Sequence, residues 1–91
     1  MVSYKLSPQV EEDLYLIWLY GLNTWGMEAA DQYISNIFHA FGQIANAPLQ
    51  YPLVDEIRAG YRRCVTGKES IYFRVADEGV EVMAVIGRQE W

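Results

Sequence analysis

Hydrophobic and polar positions alternate at the start of the chain, with Val2, Tyr4 and Leu6 set against Ser3 and Lys5. A period of two over residues 2–6 predicts a short strand. Ser7-Pro8 ends it and opens a helix. A serine side chain accepts a bond from an unpaired amide of the first turn, and proline at the first helical position has no amide to leave unpaired. Glu11, Glu12 and Asp13 follow in or near that turn, close to the positive end of the helix dipole. The helix is predicted over residues 8–22. Val10, Leu14, Ile17 and Gly21 share one face, Tyr15, Leu19 and Leu22 the opposite one, with Trp18 between. A helix apolar nearly all round needs cover on two sides. One cover is its own domain, and the other is the next helix or a bound partner.

A break is predicted across Gly21-Leu-Asn-Thr-Trp-Gly26, and a second helix over residues 27–46. Ala30, Tyr33, Ile34, Ile37, Phe41 and Ile44 form its apolar stripe, and Glu28, Asp31, Gln32, Ser35, Asn36, His39 and Gln43 its polar face. Pro48 ends it. Residues 49–60 read as a connecting loop. Three alternating runs follow, at residues 61–66, 71–75 and 80–86, separated by Gly67-Lys68 and Ala76-Asp-Glu-Gly79. That spacing predicts an antiparallel meander. The expected order is β-α-α-β-β-β. The fold class is α+β, an antiparallel sheet with a helical hairpin packed on one face.

Composition narrows the function. At 91 residues the chain has room for one domain, 1–91, and 52% hydrophobic residues favour a folded core. The formal net charge of −5 argues against a non-specific nucleic-acid binder, which needs cations to displace phosphate counterions. The charge is also divided. Residues 1–57 carry one lysine against seven carboxylates, while residues 58–91 carry six cations against five carboxylates. All five arginines, Arg58, Arg62, Arg63, Arg74 and Arg88, lie in the second part. Arginine and aromatic side chains dominate interface hot spots, so the sheet half reads as a protein-docking surface. No apolar run is long enough to span a membrane, and the opening residues lack the pattern of a signal peptide, so a soluble cytoplasmic protein is expected.

Catalytic chemistry has few candidates. His39 is the only histidine and sits on a polar helix face, where a solvated role is expected. Cys64 is the only cysteine and is expected to face inward from a strand. One His and one Cys do not make a zinc centre or a Cys–His nucleophile, so neither metal nor cofactor is expected. Ser70 and Thr66 lack an evident base, and there is no Gly-rich phosphate loop. Glu11 and Glu12 are read as dipole-compensating rather than as paired catalytic acids.

A set of motifs then carries a family resemblance. In order they are Leu6-Ser-Pro-Gln-Val-Glu-Glu-Asp-Leu14, Ile17-Trp-Leu-Tyr20 with Trp25-Gly26, Ala30-Asp-Gln-Tyr33 and Ala47-Pro48. Asp55-Glu-Ile-Arg-Ala-Gly-Tyr-Arg-Arg63 and Ile71-Tyr-Phe-Arg-Val75 complete the set. Over nearly its whole length the chain resembles the ParE branch of the RelE/ParE toxin superfamily. The resemblance implies the toxin of a type II toxin–antitoxin module. Such a toxin inhibits DNA gyrase and so replication, is held inactive by a ParD-like antitoxin, and meets DNA only through that antitoxin. The RelE branch instead cleaves messenger RNA on the ribosome. That reaction needs a general base and acid beside cations for the phosphate. Many relatives carry His where Gly87 and Glu69 stand here, so this chain lacks two candidate proton carriers. The expectation is therefore a non-enzymatic, protein-binding toxin. The alternatives are a ribosome-dependent endoribonuclease of the RelE type and a degenerate, non-toxic co-repressor partner. Expected gyrase contacts are Arg58, Tyr61, Arg62, Arg63, Arg74, Arg88 and Trp91. Expected antitoxin contacts are Tyr15, Trp18, Leu19 and Leu22, with Arg62 and Arg74.

Overall fold

A computed structural model describes residues 3–87. Strand β1 (Tyr4–Leu6) leads into helix α1 (Pro8–Trp25), then helix α2 (Met27–Asn46) and a single 3₁₀ turn, Pro48–Gln50. Strands β2 (Tyr61–Thr66), β3 (Glu69–Ala76) and β4 (Gly79–Gly87) follow. At the start of α1, Ser7 is extended and its Oγ accepts the Val10 amide at 3.3 Å. Pro8 occupies the first turn, as its sequence position predicts.

The helices differ from expectation in one respect. α1 does not stop at Leu22 but runs to Trp25, and the six-residue break contracts to one corner residue, Gly26. Gly26 holds φ at 97°, a backbone region open to glycine, and caps both helices through its own amide and carbonyl. Gly21 is helical and buried. A Cβ there would sit 3.2 Å from the Ala30 Cβ, so its missing side chain lets the two helices close on each other rather than breaking α1.

The meander forms as predicted, with β2–β3 and β3–β4 antiparallel. β1, however, lies parallel to β4, pairing Tyr4 with Val80 and Leu6 with Val82. The sheet is therefore mixed, in the order β1-β4-β3-β2. The helical hairpin carries the chain from β1 to the far edge of the sheet. Two reversals then bring β4 back beside β1 in the same direction. The connecting segment also does more than loop. Leu53 bridges to Arg62, the Val54 amide donates to the Tyr61 carbonyl at 2.7 Å, and the Arg63 amide donates to Pro52 at 3.1 Å. Residues 52–54 thus cover much of the outer edge of β2, whose amides would otherwise be exposed.

One core lies between the layers. Val10 and Leu14 of α1 meet Ile37, Phe41 and Ile44 of α2 over Ile71, Phe73, Val80, Val82 and Val85 of the sheet. Phe41 and Phe73 are fully buried, each contributing about 3 kcal/mol of transfer free energy. The expectation that α1 needs two covers is met on one side only. Val10, Leu14 and Gly21 are buried, whereas Tyr15, Leu16, Tyr20 and Trp25 stay exposed.

Candidate functional site

Helix packing leaves an open apolar groove of about 440 Å³ between α1 and α2. Leu14, Tyr15 and Trp18 form one wall, Ile34 and Phe38 the other, Leu6 of β1 lies at one end, and Glu11 stands on the rim. The walls follow from helical spacing. Residues 11, 14, 15 and 18 fall on one stripe of α1, and residues 34 and 38 lie one turn apart on α2. The indole Nε1–H of Trp18 donates to Asp31 Oδ1 at 2.8 Å, pinning the ring across the two helices. Tyr15 stacks near it, with ring centroids 6.4 Å apart. Of the expected antitoxin contacts, Tyr15 and Trp18 line this groove. Leu19 and Leu22 are half-buried further along α1 and do not line it. Arg62 and Arg74 lie apart from it, on β2 and β3. Sequence reading did not name Leu6, Leu14, Ile34, Phe38 or Glu11 as partner contacts. The Ile34–Phe38 spacing was the available signal.

The second surface is the sheet face turned away from the helices. Register places Tyr61 opposite Arg74 and Arg63 opposite Tyr72, so these four side chains share that face. Glu81, opposite Arg74 on β4, lies there as well. Arg74 is committed to it, Nη2 to Oε1 at 2.6 Å and Nε to the same oxygen at 2.8 Å. Arg62 faces the other way, donating to the Tyr51 carbonyl at 2.6 Å. Arg58 sits 5.8 Å over the Tyr61 ring. The expected target residues therefore divide: Tyr61, Arg63 and Arg74 share the outer face, Arg58 joins them through Tyr61, and Arg62 supports the 52–54 edge. Arg88 and Trp91 lie outside the described residues.

The remaining reactive groups are buried or isolated. Cys64 is 8% exposed, and burial pushes its thiol up from the ordinary value. Burial, with the nearby Cys64, also raises the Tyr51 phenol. Both stay protonated at neutral pH, so Cys64 is no ready thiolate. His39 is exposed on α2. Glu69 is buried where strand register meets α2. Its Oε1 accepts the Tyr33 hydroxyl, and its Oε2 has no hydrogen-bond partner among the described residues. Sequence reading assigned Glu69 no structural role.

Comparison with known proteins agrees with this architecture. A family model described as the ParE toxin of the type II toxin–antitoxin system parDE matches residues 4–90. Toxin ParE1 of Mycobacterium tuberculosis is 36% identical over 84 residues, covering 91% of this chain and 86% of the relative. Toxin ParE1 of Caulobacter vibrioides is 35% identical over 86 residues, covering 94% and 88%. Among solved structures, a chain of the chromosomal ParDE toxin–antitoxin system from P. aeruginosa superposes with a TM-score of 0.84 at 19% identity, covering 98% of each chain. A chain of the RelBE2 toxin–antitoxin complex from Mycobacterium tuberculosis gives 0.67 at 21% identity, over 96% of this chain and 98% of the other. These two likenesses establish the fold.

Proposed function

The chain belongs to the ParE toxin family of type II toxin–antitoxin systems, and on that footing we propose that it inhibits DNA gyrase and is neutralised by a ParD-like antitoxin bound directly to it. The observation that carries this reading is the family match over residues 4–90, nearly the whole chain. Two features support it. The α1–α2 groove presents Tyr15, Trp18, Ile34 and Phe38 as an anchor site for an apolar partner segment, the helix-in-groove mode of recognition. The outer sheet face offers Tyr61 and Arg63 for protein contact, with the Arg74–Glu81 pair beside them.

Target contact is assigned to that sheet face together with Arg58, and antitoxin contact to the groove. The toxin acts by binding and not as an enzyme. In support, Cys64 is held as a thiol, and Arg62 and Arg74 already serve internal partners and do not converge on a phosphate position. The net charge of −5 favours protein partners over direct nucleic-acid binding. On this reading DNA is reached through the antitoxin, and the toxin acts in the cytoplasm.

The test is a supercoiling assay with purified gyrase and the full chain. Inhibition or a trapped cleavage complex is expected, relieved by the antitoxin encoded beside this chain. Unchanged supercoiling at toxin excess would overturn the gyrase assignment. Message cleaved in cell-free translation would replace it with the ribosome-dependent alternative.

A further inference from the structure

The helical hairpin is unusual in its charge. Between Lys5 and Arg58 the chain contains no lysine or arginine, yet it carries seven carboxylates. Five of these, Glu11, Glu12, Asp13, Glu28 and Asp31, belong to the hairpin. Among the described residues the ion pairs are Lys5–Glu78 and Arg74–Glu81, both on the sheet side. No carboxylate of the hairpin has a cation beside it among those residues. Asp13 and Asp31 accept hydrogen bonds from neutral donors, which leaves their charge in place.

Two of these carboxylates are tied to the groove, one directly and one through Trp18. Glu11 lines it, and Asp31, outside the lining, accepts the indole N–H of Trp18, which lines it too. Residues 11 and 18 are two turns apart on α1, so Glu11 and the Trp18 that Asp31 holds are separated by roughly 10 Å of helix. Between them the walls are apolar and aromatic. An apolar groove with one carboxylate in its wall, a second behind Trp18 and no internal counter-ion selects its occupant by sign as well as by shape.

We propose that the α1–α2 groove takes an amphipathic helical partner segment whose flanks carry lysine or arginine, meeting Glu11 in the groove wall and the uncompensated carboxylates of the hairpin beside it. The proposal rests on the groove being the antitoxin seat and specifies the chemistry of the segment that fills it. The apolar stripe of that segment packs on Trp18, Leu14 and Phe38, and its cations supply the neutralising charge the hairpin lacks. A neutral segment of the same shape fits less tightly, and an acidic one is repelled.

The test uses three synthetic 18-residue helical peptides with one shared Leu/Ala stripe and flanks of Lys, Gln or Glu. Each is titrated calorimetrically into the full chain at low and high salt, beside a scrambled Lys peptide. The Lys peptide is expected to bind about tenfold tighter than the Gln peptide at low salt, with the Glu peptide weakest. High salt narrows the gap. Glu11→Gln, an exposed substitution, lowers affinity for the Lys peptide and leaves the Gln peptide unchanged. Equal affinity for Lys and Gln peptides, or equal binding of the scrambled peptide, overturns the proposal. If the Gln peptide still binds in that case and Trp18→Ala weakens it, the groove reading stands alone. If no peptide binds, or Trp18→Ala changes nothing, the groove reading falls and takes this proposal with it.

Discussion

Asp13 is the residue whose removal most directly tests how the helices are fastened to the sheet. β1 is short and ends at the Leu6–Val82 pair, whereas β4 continues to Gly87. Opposite this point the β3–β4 register slips between Tyr72 and Phe73, so that Phe73 faces Val82, Tyr72 faces Ala84, and Met83 is left without a partner. Such a bulge disrupts the ladder locally. The start of α1 takes over the free edge of β4. The Ser7 amide donates to the Val82 carbonyl at 3.0 Å, the Ser7 hydroxyl donates to Met83 at 3.0 Å, and Asp13 Oδ2 accepts the Val85 amide at 3.0 Å. Val85 is 3% exposed, so water offers that amide little replacement.

Asp13→Ala is therefore expected to strand a buried amide and cost about 2 kcal/mol, within a range of roughly 1–3. For a domain of this size that lowers Tm by about 8–16 °C. Asp13→Asn keeps an acceptor of the same shape and is expected to cost less than half as much. The assay is urea unfolding followed by tryptophan fluorescence, paired with amide exchange at Val85. Exchange at Val85 should quicken in the alanine variant beyond what global destabilisation explains. An Asp13→Ala loss within about 0.5 kcal/mol of zero would refute this account. Equal losses in Ala and Asn would also refute it, because then charge and not hydrogen-bond acceptance would be responsible.

Three further outcomes are expected. Gly79 holds φ at 140°, and a Cβ there would sit 2.6 Å from the Ser3 carbonyl, which accepts the Val80 amide, so Gly79→Ala should displace β1 and cost at least about 2 kcal/mol in urea unfolding. Cys64 and Tyr51 have raised folded-state values, so the unfolded chain gives up these protons first as pH rises. Stability should then be intact below the ordinary thiol range and fall above about pH 8.5, and Cys64→Ala should flatten the first part of that fall in a thermal-melt series. Trp18→Phe keeps an aromatic wall but removes the donor to Asp31, so stability by circular dichroism should change by less than about 1 kcal/mol.

Much of this molecule is written in local pattern. The stripe of α2, the Ser7-Pro8 start and the three alternating strands predict their elements because each depends on neighbours in sequence. The misplaced features depend on distant partners. Gly21 looks like a helix breaker until Ala30 is known to press against it. The parallel pairing of β1 follows from the path of the whole chain, which no window of residues records. Alternation separates Arg62 from Arg63 and Arg74 only once the register is fixed, and the engagement of Arg74 with Glu81 needs that register too. The groove was half legible. Tyr15 and Trp18 stood out as surplus apolar surface on α1, but the opposite wall belongs to α2, and only packing brings Ile34 and Phe38 across from them.

The two candidate surfaces lie on opposite layers, and that separation constrains how one partner deals with both. The groove opens on the helical layer, while Tyr61, Arg63 and Arg74 occupy the outer face of the sheet. The molecule's shortest dimension is 22 Å. A helix seated between α1 and α2 therefore leaves the sheet face uncovered. From Leu6 in the groove lining, one route to that face runs past the β1 edge, over Lys5 and Glu81, to Arg74. At about 3.3 Å per extended residue, crossing the thickness alone takes roughly seven residues beyond the helix. On the proposed function, binding and neutralisation are then separable by length: a peptide limited to the groove helix should bind this chain yet leave the proposed gyrase inhibition intact, and the extended segment should abolish it.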